Sequence, residues 1–210
     1  ESWIDMEGNP YFYGLSSHEN VEIKLYNKAN PLKPWKTMGR MHDKYLIADG
    51  KIYILGGRNT YNYFLGDFPG HKNFDRDVLV VCDEPQKDNS VNQLWNYFET
   101  IWEQEDCRYF HNSKKLADRQ SVKKAVLELQ EGYQQYFEVN KEKICDTDYA
   151  DETFETEKIT LLSNPIHTQA KEPVVWYQLG ELMKNAKERV KIHTPYIICN
   201  DMMYNTWEEI

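Results

Sequence analysis

The chain has 210 residues, 40% of them apolar and 14% aromatic, and carries a formal net charge of −9. That is a globular composition with material for a real core, sufficient for one large or two small domains. It excludes a helical membrane span, since no stretch approaches the roughly 18 to 20 apolar residues one needs, and the acidic balance opposes non-specific binding to a polyanion.

No secretory leader or amphipathic transit pattern follows Glu1-Ser2-Trp3. Residues 1–20 are rich in Gly, Asn, Ser and aromatics without a clear period, and read as loop or a weak turn of helix. Val21 to Tyr26 alternates apolar and polar, the pattern of a strand. Asn27 to Met38 holds Pro31 and Pro34 and reads as a loop, suited to the wall of a site. Arg40 to Asn59 then reads as a β-hairpin: two runs rich in Tyr, Ile and Leu flank Asp49-Gly50, the dipeptide of a turn with positive φ at both central positions. Alternate strand residues share a face, so His42 and Lys44 point the same way. Gly56-Gly57 ends the second strand without a Cβ to keep a ligand off the backbone. An imidazole nucleophile beside a fixed cation and the Asn59 amide is a sensible kit for a phosphodiester. The competing reading is a surface hairpin carrying an incidental His and Lys.

Thr60 to Gly70 is an aromatic-rich loop, either a cap on the core or a wall for an acyl chain, a glycerol or a base. Asp75-Arg76-Asp77 leads into Val78 to Cys82, a continuous apolar run expected as a buried central strand. Ser90 to Trp102 has apolar residues at helical spacing with Asn89 or Ser90 as cap, a core-packing helix. Ser121 to about Lys143 is charged with a narrow apolar stripe, an amphipathic surface helix. The acidic run from Asp146 to Glu157 reads as a solvated linker rather than a calcium loop. Ile159 to Leu162 restarts a strand, Pro173 opens a helix with Trp176, Leu179, Leu182, Met183 and Ala186 as its buried face, and Val190 to Ile198 is a strand running through Thr194-Pro195-Tyr196. Cys82, Cys107, Cys145 and Cys199 lie far apart with no paired metal spacing and read as free thiols.

The hairpin also resembles the phospholipase D superfamily, whose signature is H-x-K, four residues, D, six residues, then G-[GS]-x-N. His42, Lys44, Asp49, Gly56, Gly57 and Asn59 meet it without a gap. The likeness covers Val21 to Trp102 well and Ile159 to Tyr196 more loosely. It implies an α+β fold, an αβα sandwich around a mixed sheet. Residues 1–110 would be the later part of a first repeat, 111–158 a charged helical insert, and 159–210 the start of a second repeat that ends before its own motif.

The resemblance also implies phosphodiester or phosphatidyl transfer through a phosphohistidine, as in phospholipase D or cardiolipin synthesis. His42 would be nucleophile or acid, and Lys44 and Asn59 would hold the non-bridging oxygens. Asp77, with Asp75 as second choice, would orient the catalytic histidine; Asp49 would brace the hairpin, and Gly56, Gly57 and Arg58 would support the substrate. No metal or cofactor is implied, because the cations are side chains. The implied partners are a phospholipid headgroup or other phosphodiester, ahead of nucleic acid, and a second repeat or a dimer mate to complete the site. The implied location is the cytoplasm or the cytoplasmic face of a membrane, with any anchor outside these residues. A nuclease of the same superfamily and a non-catalytic interaction module are the rival readings.

Overall fold

The computed structural model describes residues 3–65, 69–82, 88–111, 113–167, 172–194 and 197–210, and the chain divides into two compact units, Glu1–Thr160 and Leu161–Ile210. The fold is mixed α+β. The first unit runs α1 (Trp3–Met6), α2 (Pro10–Ser16), β1 (Lys24–Tyr26), a 3-10 turn over Pro34–Met38, β2 (Lys44–Ala48), β3 (Ile52–Gly56), β4 (Asp77–Val81), α3 (Ser90–Trp102), β5 (Cys107–Tyr109), α4 (Lys114–Ala117) and α5 (Gln120–Cys145). The break at residue 160 falls close to the expected start of the last segment, but α5 packs onto α2, so the charged helix belongs to the first unit.

The hairpin forms for the local reason its sequence suggests. Asp49 and Gly50 sit at φ 53° and 66°, and the Lys51 N–H donates to the Ala48 carbonyl at 3.0 Å. Ala48 and Ile52 make the first ladder pair, and β4 joins the far side of β3, giving an antiparallel sheet in the order β2-β3-β4. The expected mixed sheet is therefore corrected: both sheets of the described residues are antiparallel, the second being β1 with β5. β4 is an edge strand rather than a central one, and Val78 is 60% exposed. An apolar run of five residues fits either place, and burial on one face alone satisfies it.

One face of the sheet, carrying Tyr45, Tyr53 and Val80, lies against α3. Tyr53 donates to Ser90 Oγ at 3.2 Å, the Tyr45 and Tyr97 rings stand 6.2 Å apart, and Val91 and Leu94 of α3 are fully buried. The helix begins as its sequence indicates, with the Asn89 side chain accepting from the Asn92 N–H. The other face carries Lys44, Leu46, Ile54 and Asp77, and Leu46 is 58% exposed.

A second core joins Met6, Tyr13, Leu25 and Val122 from α1, α2, β1 and α5 with Phe110, the residue just after β5. In place of the expected loop or weak turn of helix, Trp3–Met6 and Pro10–Ser16 are helical. Asn9 caps α2 by accepting from the Tyr11 N–H, Pro10 starts it, and Gly14 lets the helix approach the Val126 side chain of α5. The expected stripe of α5 is buried only at Val122 and Ala125; Tyr133 and Tyr136 face solvent.

In the second unit α6 (Val174–Lys184) starts just after Pro173, and α7 (Asp201–Glu209) follows; the Trp176 and Trp207 rings meet at 5.9 Å and Gly180 packs against Thr206. Leu179 and Leu182 of the expected buried face are exposed. The strands expected at Ile159 to Leu162 and Val190 to Ile198 are irregular where described, and Pro195 and Tyr196 lie outside the described residues. A strand needs a ladder partner, and every paired strand belongs to the first unit.

Candidate active site at the start of the hairpin

His42 lies exposed in the extended segment that feeds β2, two residues ahead of half-buried Lys44. Their side chains meet just ahead of β2, which begins only at Lys44: the Lys44 ammonium stands 2.7 Å from His42 Nδ1 and also donates to the His42 carbonyl at 2.7 Å. An ammonium has donors only, so Nδ1 accepts and the ring proton sits on Nε2. Burial pulls the Lys44 pKa below its usual value, while the carboxylates of Asp43 and Asp75 oppose that shift. Asp43, which sequence reasoning passed over, accepts from the Tyr97 hydroxyl at 2.6 Å. That bond ties α3 to the segment carrying His42. Burial, then the Asp43 carboxylate, pushes the Tyr97 phenol up; burial and Asp43 push Tyr45 up to about 12. Tyr97 was missed because a half-buried polar residue between apolar helix positions carries no periodic signal.

Across the sheet Lys44 pairs with Gly56, and Gly56 with Asp77. The two glycines are required by this register. A Cβ on Gly56 would overlap Asp77 Oδ1, and one on Gly57 would lie 2.6 Å from Asp75 Oδ2. Both carboxylates thus lie against the glycine backbone, in the space expected for a ligand.

Asp77 has a different partner from the imidazole. Arg58 Nε donates to Asp77 Oδ2 at 2.7 Å, Nη1 to the Phe64 carbonyl at 3.1 Å and Nη2 to the Asp75 carbonyl at 3.0 Å. Arg58 is therefore a clamp between the loop after β3 and the segment before β4. Asp77 Oδ1 is buried without a hydrogen-bond partner. Asp75 Oδ1 accepts from the Arg76 N–H at 2.9 Å, and the same residue's carboxylate acts on Lys44.

Asn59 is half-buried just past this clamp, and its carbonyl accepts from the Tyr61 N–H at 2.9 Å. The Tyr61 and Tyr63 rings meet at 5.0 Å; Gly66, Asp67 and Phe68 of the same loop lie outside the described residues. Asp49 is in the turn at the opposite end of β2, roughly 20 Å of extended chain from His42. It can shape the hairpin and cannot touch what His42 touches.

No protein-family model matches the chain, and no solved structure matches it. The chain is similar to an uncharacterised protein of Helicobacter pylori, 24% identical over 212 residues. That match covers 88% of this chain and 39% of the relative, so the chain spans about two-fifths of the relative's length. Among the described residues no three His, Cys, Asp or Glu side chains are grouped to hold a metal ion, and no helix is long and apolar enough to cross a membrane.

Proposed function

We propose that this chain carries one half of a phospholipase D-type active site, in a phospholipase D-like αβα sandwich, and that the complete site transfers a phosphatidyl or other phosphodiester group. The observation that carries the reading is the 2.7 Å contact between Lys44 and an exposed His42, at the spacing from Asp49, Gly56, Gly57 and Asn59 quoted above. Exposure favours a catalytic role over an interaction module that keeps the hairpin for packing.

One imidazole attacks phosphorus, a P–N bond forms, and the leaving alcohol takes a proton from a second histidine. Water or another alcohol then attacks, the P–N bond breaks, and the proton returns. In the arrangement described, a neutral His42 carries its proton on Nε2; protonating a leaving oxygen requires the imidazolium, and attack through Nε2 requires the other tautomer. Lys44 and Asn59 would hold the non-bridging oxygens as charge grows there. Asp77, and Asp75 after it, would stabilise the site through Arg58 and Lys44 rather than by gripping the imidazole. None of His18, His71, His111, His167 or His193 is followed two residues later by Lys, so the second histidine would come from elsewhere in a longer protein or from a dimer mate.

A phospholipid is favoured over a nucleic acid because the carboxylates of Asp43 and Asp75 act on Lys44 and the chain carries a formal net charge of −9. The implied place of action is the cytoplasm or a membrane surface facing it. The test is turnover of a chromogenic phosphodiester by this chain and by the complete protein, with mass in solution measured alongside. We expect no turnover by a monomer of this chain, and near-complete loss on His42→Ala in the complete protein. Activity within tenfold of the unmutated protein overturns the assignment, and His42-dependent turnover by a monomer overturns the half-site.

A further inference from the structure

The loop from Asn27 to Gly39 closes over a cavity of about 240 Å³ lined by Asn27, Lys28, Lys33, Lys36, Asp106 and Arg108, among others. Four cations and one carboxylate converge there, in a chain with nine more acidic than basic residues. Lys36 pairs with Asp106 at 3.1 Å and Lys28 with Glu7 at 3.0 Å. Lys33 and Arg108 have no acceptor among the described residues and are exposed. Two unneutralised cations beside two paired ones make a local positive field that an anion relieves.

The pocket is also held in shape before any ligand arrives. Asn27 takes the left-handed conformation, φ 46°, and its amide donates to the carbonyls of Lys36 and Gly39, both at 2.6 Å. The Asn27 N–H donates to the Asp106 carbonyl at 2.8 Å, and the Asn30 side chain accepts from the Leu32 N–H at 2.9 Å. A preformed loop spares a ligand the cost of ordering it. The volume lies below the roughly 300 to 1,000 Å³ of pockets for drug-sized ligands, so it suits a small anionic group. The planar fork of Arg108 matches two phosphate oxygens, with Lys33 as a movable point charge.

We propose that this pocket is an anion site, separate from His42, that takes a phosphate group, either as a free phosphate or as a phosphomonoester lipid headgroup. The proposal does not rest on the phosphodiester-transfer reading.

The test is calorimetric titration of the His42→Ala chain with inorganic phosphate at low salt, and its cosedimentation with phosphatidylcholine vesicles with and without phosphatidic acid. Lys44 and Asn59 remain in that chain, so it is the dependence on Lys33 and Arg108 that assigns the binding to this pocket. We expect saturable binding that weakens with added salt and falls roughly tenfold or more in Lys33→Ala/Arg108→Ala. Circular dichroism checks the fold of that variant. Lys33→Glu, on the exposed loop alone, stands in should the double variant unfold. Binding of inorganic phosphate identifies a free phosphate as sufficient, whereas binding only to phosphatidic acid vesicles identifies the headgroup. Equal binding by the variants, or no pocket-dependent binding to either probe, overturns the proposal.

Discussion

Arg58→Ala should loosen the end of the sheet that carries the site while leaving His42 and Lys44 in place in the chain. Arg58 donates to two backbone carbonyls, at Phe64 and Asp75, each worth about 0.5 to 1.5 kcal/mol net. Its ion pair with Asp77 is partly exposed, 37% on the guanidinium side and 22% on the carboxylate side, which limits it to about 1 kcal/mol. Asp77 Oδ1 already lacks a partner, so losing Arg58 leaves neither carboxylate oxygen bonded and adds about 1 kcal/mol. The sum is about 2 to 5 kcal/mol. Urea denaturation of the two proteins measures it, and amide exchange along β3 and β4 shows where the loosening occurs. Asp77→Ala in the same background should recover part of the loss, with a coupling of about 1 kcal/mol between the two changes. A loss below about 0.5 kcal/mol, or strict additivity of the two substitutions, refutes the clamp.

Gly56→Ala should destabilise by about 1 to 3 kcal/mol, because its methyl group overlaps an Asp77 carboxylate that Arg58 holds in place; thermal unfolding reads this, and a neutral result would mean the carboxylate moves freely. Raised phenol pKa values make the first unit sensitive to alkali. Tyr45 goes from 10.0 to about 12 and Tyr97 rises further, so stability is intact below pH 10 and is lost as pH climbs through 12. Denaturation along that range should show the fall, and Tyr45→Phe with Tyr97→Phe should flatten it. Lys44→Ala in the complete protein should slow turnover by about 3 to 4 kcal/mol of transition-state stabilisation, with the substrate KM moving far less.

What could be read from the chain was what its neighbours encode. Asp49-Gly50 requires the two positive φ values it adopts, and Asn89 followed by an apolar period of 3.6 gives α3 its start and its buried face. Strand alternation predicts that His42 and Lys44 point the same way; they do meet, but β2 begins only at Lys44 and His42 reaches it from the segment ahead of the strand. The remainder depends on partners distant in sequence. Helix α2 is a seven-residue stretch whose Tyr13 and Gly14 make sense only against Phe110 and Val126. β5 is three residues that become a strand through Lys24, Leu25 and Tyr26. Ile159 to Leu162 has strand composition and no ladder partner. Gly56 and Gly57 were recognised as places of close approach, but nothing local says that the approaching groups are Asp77 and Asp75.

The two hydrogen bonds from Lys44 to His42 also ration what the ammonium has left to give. An ammonium has three N–H donors. One meets the His42 ring nitrogen and one the His42 carbonyl, both at 2.7 Å. A single donor is left over, so anything that approaches Lys44 meets one directed N–H rather than an open sphere of charge.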